Sequence, residues 1–265
     1  MKIAHSNIVL TGAASGIGRA LLDALADYPA QIMAVDVNAE ALQVAVDAQA
    51  DKPATVSALT ANLMQQTGVD EVIQAARTQM GTIDIFIANA GFAYYEKLGA
   101  ADWEHIERVF QLNTFSPIYA AQRMRELNPD RPYHMVIQAS AMAKFSLPGY
   151  ALYGATKSAL DRFAEVYRYE LPATACLTLV YPIATRTNFF REASDNTPIP
   201  WPTQTPQTVA KAIIHGIEGD KDSVFPSLLF RVTWAFAKAF PGLQTIYQRM
   251  ENAKFQQWLK SRGNS

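Results

Sequence analysis

Residues 7–18 read Asn7-Ile8-Val9-Leu10-Thr11-Gly12-Ala13-Ala14-Ser15-Gly16-Ile17-Gly18. A short apolar strand runs into a glycine-rich turn. A helical pattern follows from Arg19 to about Tyr28, where Pro29 stops it. Glycine lets the backbone turn tightly and lets a ligand approach it closely. The helix then opens with unpaired N–H groups and the positive end of its dipole, which suits a pyrophosphate. The G-x-x-x-G-x-G spacing puts Gly12, Ser15, Gly16, Ile17 and Gly18 at that turn. Alone, the pattern fits a purely structural turn equally well.

The next strand, 31–35, ends at Asp36. A carboxylate about 20 residues beyond such glycines accepts from both hydroxyls of an adenosine ribose and repels a 2′-phosphate. Val35 and Val37 offer no arginine to offset that repulsion, so NAD is favoured over NADP. Asp36 as the cap of the following helix, 39–49, is the competing reading, although Asn38 is the better cap.

Strands and helices continue to alternate. A strand over Thr55–Thr60 leads to Asn62-Leu63, and a helix covers 69–79. An apolar strand over 83–88 ends in Asn89-Ala90-Gly91, small residues that let the sheet end approach a cofactor. Asp102 caps a long helix to about Leu127. Pro117 has no N–H for the carbonyl of Asn113, which predicts a kink and leaves that carbonyl to a water, a candidate proton relay. Further strands are expected at 133–139, 175–181 and 223–225, and a helix at 209–217. Uninterrupted apolar strands between helices indicate a parallel sheet covered on both faces. Residues 185–206 are rich in Thr, Pro and aromatics with little periodicity, the mark of a lid or binding loop.

Residues 140–160, SAMAKFSLPGYALYGATKSAL, carry the reactive groups. Tyr153 and Lys157 lie four apart in a helix expected to stop at Pro172, and so share a face. A phenol with a pKa of about 10 is a poor base at neutral pH. A nearby ammonium favours the phenolate. Such a pair exchanges a proton with a hydroxyl or carbonyl, help typically worth ~10²–10⁴ in rate. Ser140, leaving a strand end, can hydrogen-bond a reacting oxygen held over the tyrosine. By itself Tyr-x-x-x-Lys is a common chance spacing.

Composition narrows the field. The 265 residues are 49% apolar and 18% charged, with a net charge of −1 that gives no reason to expect nucleic acid. Cys176 is the sole cysteine; it excludes an intrachain disulfide and reads as inert core. His5, His105, His134 and His215 show no metal-ligand spacing, so no metal is expected. The first residues lack a signal-peptide apolar region, and no stretch of ~20 residues is free of charge. The expectation is a cytoplasmic protein.

Taken together, these residues resemble the short-chain dehydrogenase/reductase family over roughly residues 6–225. The motifs are Thr11-Gly12-x-x-x-Gly16-Ile17-Gly18, Asn89-Ala90-Gly91, Asn113, Ser140, Tyr153-x-x-x-Lys157 and Pro182-x-x-x-x-Thr187. Their joint order and spacing are highly specific. The resemblance implies one doubly wound, Rossmann-type α/β sheet in residues 1–226; residues 227–265 are expected, from their own pattern, to form a helical extension packed on it. It makes Tyr153 the general acid/base and gives Lys157 the tasks of lowering its pKa and holding the nicotinamide ribose. Ser140 would orient the substrate oxygen. Asn113, through its carbonyl, would hold a water joining Lys157 to solvent. Gly12, Ser15, Ile17 and Gly18 would line the pyrophosphate, Asp36 the adenosine ribose, Asn62 the adenine, and Pro182, Thr185 and Thr187 the carboxamide end.

The implied reaction is hydride transfer between NAD(H) and an alcohol or ketone. A dinucleotide-binding regulatory or scaffold protein without turnover is the rival, opposed by all four catalytic positions being filled. Phe92, Tyr94, Phe145, Leu147, Phe189, Phe190 and Trp201 are expected to line the cleft and favour an apolar substrate. The Tyr153 helix and the 102–127 helix are the family's usual surfaces for a homodimer or homotetramer. Two departures stand out: Asn62 where the family commonly has Asp, and Ile183 where it usually has Gly after Pro182. The second implies altered loop geometry or a narrower substrate pocket.

The tail is basic. Residues 221–265 hold seven Lys/Arg (Lys221, Arg231, Lys238, Arg249, Lys254, Lys260, Arg262) against Asp222 and Glu251, a net of +5. A mostly apolar helix over 228–240 carries Arg231 and Lys238 on one face. Leu243, Ile246, Tyr247 and Met250 then follow an amphipathic spacing. Two readings stand: a helical pair covering the substrate cleft or forming a subunit contact, and attachment to an anionic membrane surface.

Overall fold

A strand that is apolar throughout must hide both faces, so strands of this kind end up between two helical layers. The computed structural model describes residues 1–263, without the side chains of Lys238, Ala239, Pro241 and Leu243. The facial placements expected for Lys238 and Leu243 therefore lie outside the described residues. The strands are β1 (Asn7–Thr11), β2 (Gln31–Asp36), β3 (Thr55–Thr60), β4 (Ile85–Ala88), β5 (Tyr133–Gln138), β6 (Ala175–Val180) and β7 (Ser223–Val224). They form one parallel sheet in the order β3-β2-β1-β4-β5-β6-β7. The helices are α1 (Gly16–Leu25), α2 (Ala39–Asp47), α3 (Gln66–Met80), α4 (Trp103–Phe110), α5 (Ser116–Leu127), α6 (Ala151–Tyr167), α7 (Phe189–Ala193), α8 (Pro206–Glu218), α9 (Leu228–Ala239) and α10 (Pro241–Gly263).

The period of two along each strand sorts the core into two layers. Ile8 and Leu10 of β1, with Ile85 and Ile87 of β4, pack under Leu21, Leu25, Leu42, Val209 and Ile213 of α1, α2 and α8. Val9, Phe86, Met135 and Ile137 face the other way, onto Val72, Ile73, Met124, Leu160 and Ala164 of α3, α5 and α6. The expected doubly wound sheet is what the chain forms.

Several element ends differ from expectation for local reasons. The strand predicted over 83–88 starts at Ile85, and Asp84 just before it joins the strands on either side. Its carboxylate accepts from the Asn7 N–H and its carbonyl from the His134 N–H. The helix expected over 102–127 is capped by Asp102, as predicted, but its middle is a π-helical stretch, Gln111–Phe115. The Ser116 N–H reaches back five residues to the Gln111 carbonyl, and this wider turn lies just ahead of Pro117, which has no N–H to offer. The predicted 185–206 loop contains α7, and Thr185 bridges to Gln204. Helix α6 stops at Tyr167, and a 3₁₀ turn over Arg168–Glu170 covers most of the way to the expected stop at Pro172.

At the N-terminal ends of the strands, the ligand atoms of His134, Cys176 and Asp220 come within 4.8 Å of one another. Sequence spacing gave no hint of this. Cys176 is only half-buried rather than core. The Met1 ammonium pairs with Asp220, and burial pulls His134 down to about 4, so it is neutral at pH 7.

A side chain at Gly18 has nowhere to go: its Cβ would lie 1.8 Å from the Gly12 carbonyl oxygen, whereas a Cβ at Gly154 on α6 meets nothing within 4 Å. Gly18→Ala should therefore cost about 1–3 kcal/mol or prevent folding. Gly154→Ala should add about 0.5–1 kcal/mol. Urea unfolding midpoints check both, and equal effects at the two positions would contradict the packing described here.

Candidate active site

Between β1 and β4 the strand order reverses, and a crevice opens at their C-terminal ends. Thr11 and Asn89 bind these two ends together. The Thr11 Oγ1 accepts from the Asn89 and Ala90 N–H groups, at 3.0 and 3.1 Å. The Asn89 amide donates to the Thr11 and Gly12 carbonyls at 2.9 and 3.1 Å. Gly12, at φ 66°, needs the left-handed conformation, and a Cβ there would sit 2.9 Å from the Ala90 Cα. Ser15 caps α1 without a side-chain hydrogen bond, so the first-turn N–H groups of α1 face the crevice unpaired by a cap.

The crevice is a cavity of about 340 Å³. Gly12, Ser15, Gly16, Ile17 and Gly18 line one part, and Asp36, Asn62 and Leu63 another. Asp36 is fixed by the Ala14 and Asn38 N–H groups, at 3.0 and 3.1 Å, while Asn38 caps α2 through the Ala41 N–H, as expected. Asn89, Ala90 and Gly91 also line it, as do Pro182, Thr185 and Thr187.

Ser140, Tyr153 and Lys157 also line this cavity, brought there by the end of β5 and the first turns of α6. All three are buried. The Lys157 Nζ donates to the Gln138 carbonyl at 2.8 Å and lies 5.7 Å from the centre of the Tyr153 ring. Burial pushes the Tyr153 phenol up to about 12, against a smaller downward pull from the Ser140 hydroxyl hydrogen bond. Burial alone brings Lys157 down to about 7. The sequence reading had the lysine charge setting the tyrosine pKa. In the cavity by itself, removal of water governs both groups.

Asn113 does not line the cavity; it stands behind it in the π-helical turn. Its side chain takes the Phe92 N–H at 3.1 Å and donates to the Phe92 carbonyl at 2.8 Å, which secures the strand end after Gly91.

A glycine cradle at a topological switch point, with buried Ser, Tyr and Lys in the same cavity, calls for comparison with known proteins. A family model described as short chain dehydrogenase matches residues 6–198. The chain belongs to the short-chain dehydrogenase family. It is 33% identical over 180 residues to 1-deoxy-11-beta-hydroxypentalenate dehydrogenase of Streptomyces avermitilis, an alignment taking in 66% of each chain, just under two thirds of that relative's length. Its fold matches a short chain dehydrogenase/reductase from Burkholderia phymatum in complex with NAD (TM-score 0.82, 20% identity, 92% of this chain and 96% of that one). It also matches a short-chain dehydrogenase from Sphingobium yanoikuyae in complex with NADPH (TM-score 0.79, 24% identity, 91% and 95%). At these identities the structural likeness is one of fold.

Within this dehydrogenase fold, some expected cleft residues lie elsewhere. Phe92, Phe189 and Phe190 line the cavity. Tyr94 instead stacks on His105 at 3.9 Å, Phe145 packs on Phe230 and Tyr247, Leu147 packs in the Tyr95–Tyr150 cluster, and Trp201 is exposed. Ile183 takes no left-handed conformation, so the missing glycine causes no backbone strain, and its side chain lines the cavity. Sequence reading missed Gln138, whose contribution is a backbone carbonyl without any side-chain signature. It also missed the wall behind Tyr153, where Tyr150 and Tyr95 are backed by Phe255 and Trp258 of α10.

The lowered Lys157 pKa has a thermodynamic consequence with a definite sign. Between pH 7 and 10.5 the unfolded chain holds a proton that the folded chain has released, so this residue makes stability rise with pH across that window. Below pH 7 the folded chain bears the full cost of a buried ammonium. Lys157→Met should then raise Tm by several degrees at pH 6, and the gain should fade between pH 7 and 10.5. Scanning calorimetry across that range checks it; a gain independent of pH would contradict it.

Proposed function

We propose that this chain is an oxidoreductase that moves a hydride between NAD(H) and an apolar alcohol or ketone, with Tyr153 as general acid/base. The observation that carries the reading is the burial of Ser140, Tyr153 and Lys157 along the same cavity as the glycine cradle and Asp36. The donor set fits a nicotinamide dinucleotide: a glycine turn that admits close approach, free helix N–H groups for a pyrophosphate, and a fixed carboxylate for ribose hydroxyls. When bound, that cofactor supplies or accepts the hydride.

The chain's own residues do the rest. In reduction Tyr153 gives its proton to the substrate oxygen, and in oxidation it takes one; Ser140 donates a hydrogen bond to the same oxygen. A charged Lys157 favours the phenolate and so the oxidative direction. Asn113 fixes the Phe92 backbone, and its main-chain carbonyl holds the water that links Lys157 to solvent. Phe92, Ile183, Phe189 and Phe190 favour an apolar substrate. The preference for NAD rests on Asp36, with Val37 rather than an arginine next to it on the cavity wall. Exposed Trp103, Phe115 and Val166 on the 102–127 segment and α6 support a homodimer or homotetramer. A cytoplasmic setting fits the sequence reading; among the described residues, no helix is long and apolar enough to cross a membrane.

Two measurements test this. Tyr153→Phe should lower kcat by at least ~100-fold while leaving NAD affinity by calorimetry unchanged, and retained turnover would overturn the mechanism. Asp36→Ala should weaken NAD and relax the discrimination against NADP. Equal kcat/KM for both cofactors in the unmodified protein would remove the basis for the NAD assignment.

A further inference from the structure

Helix α9 turns an apolar side outward. Leu228, Leu229, Val232, Phe236 and Phe240 are 71, 51, 44, 58 and 61% exposed. A spacing of four sets Leu228, Val232 and Phe236 along one stripe of α9, and Phe240 follows as the residue that ends the helix. On α10, Ile246 and Met250 repeat the spacing at 57 and 60% exposure. Single exposed apolar residues are ordinary; a run of seven across two successive helices and the residue that joins them is not.

This exposure does not come from a helix that has swung free. Phe230 is buried against Phe145, and Trp234 stacks on Phe225 at 5.6 Å and 22°. The Tyr247 hydroxyl donates to the Trp201 carbonyl at 2.9 Å. The inner side of the pair is docked on the protein, and the outer stripe is held towards solvent.

Charge identifies the partner. Glu251 is the only acid in residues 223–263, and it is buried and paired with Lys254 at 2.7 Å. Arg231 flanks the stripe on α9 and Arg249 flanks it on α10; both are exposed and neither forms an ion pair among the described residues. A second copy docking here by two-fold symmetry would bring the same arginines into the interface with no exposed acid in residues 223–263 to meet them, which is unfavourable. A surface that is apolar beneath and negative above, the headgroup region of an anionic bilayer, satisfies both features. We propose that α9 and the first half of α10 seat this protein on an anionic lipid bilayer. The apolar stripe enters the acyl boundary, and Arg231 and Arg249 lie at the phosphates. No step of this depends on turnover.

Co-flotation of the full chain with vesicles tests it, using phosphatidylcholine alone and phosphatidylcholine mixed with phosphatidylglycerol. The protein should float with the mixed vesicles, and added salt should release it. Arg231→Gln with Arg249→Gln should lower the partition coefficient about 30-fold. Phe236→Ser should lower it about tenfold or more. Both variants alter exposed side chains, and far-UV circular dichroism confirms that each is folded. The proposal is overturned if the protein ignores mixed vesicles at low salt or if folded variants bind as well as the original. It is also overturned if Phe236→Ser lowers the molar mass by light scattering, which would assign the face to a second copy.

Discussion

The clasp between Thr11 and Asn89 is the contact on which the site depends. Parallel strands β1 and β4 are neighbours because the chain winds outward through β2 and β3 and then returns across β1. At such a reversal the following helices diverge to opposite faces, and nothing in the sheet itself closes the gap. One hydroxyl and one amide close its floor, through two N–H groups and two carbonyls. That fixes the Gly12 turn against Ala90, close enough that neither Gly12 nor Gly18 has room for a Cβ. The helix α1 N-terminus and the Gly91 wall then face the same space. Asn113 extends the restraint to Phe92, and its amide also reaches the Thr156 hydroxyl of α6 at 3.3 Å. The glycine cradle and the tyrosine helix are thus joined through a short series of hydrogen bonds rather than through packing alone.

Within that frame Tyr153 and Lys157 are held where water is scarce, and two effects compete. Desolvation opposes charge on both groups, whereas a charge on either favours the opposite charge on the other. With only the protein's own atoms around them, desolvation prevails and pushes the two values apart, to about 12 and about 7. Any ligand that accepts a hydrogen bond from Lys157 favours its ammonium. Through that charge it lowers the proton affinity of Tyr153. Ligand binding and phenol ionisation are therefore linked.

What the sequence made legible follows from what side chains signal. Glycines, the acid at the end of β2, the apolar strands and the Tyr153–Lys157 spacing all have signatures, and they led to the right sheet and to residues that share one cavity. Contributions made by the main chain have none: the Gln138 carbonyl that receives Lys157 emerged only with tertiary structure, as did the use of the Asn113 side chain to clamp Phe92. The proline at 117 signalled a disturbed helix, but the form taken was a π-helical turn. Aromatics were the least readable, because an apolar ring only says that it will be covered. Tyr94 found His105 and Phe145 found α9, whereas Phe189 and Phe190 stayed at the cavity.

The last helix shows how an amphipathic pattern can identify a face without identifying its neighbour. The spacing through Ile246, Tyr247 and Met250 signalled one apolar side in α10. In the fold Tyr247 turns inward to Trp201, while Ile246 and Met250 remain exposed. Further along, Phe255 and Trp258 take over the inward role, and the Trp258 indole N–H donates to the Asp195 carbonyl at 3.1 Å. Through Tyr95 and Tyr150 these two residues back the Tyr153 ring. The same helix therefore supports the wall behind Tyr153 at one end and presents apolar surface at the other. One 23-residue helix thus meets two different demands, closed against the aromatic wall at its later turns and open at its first ones.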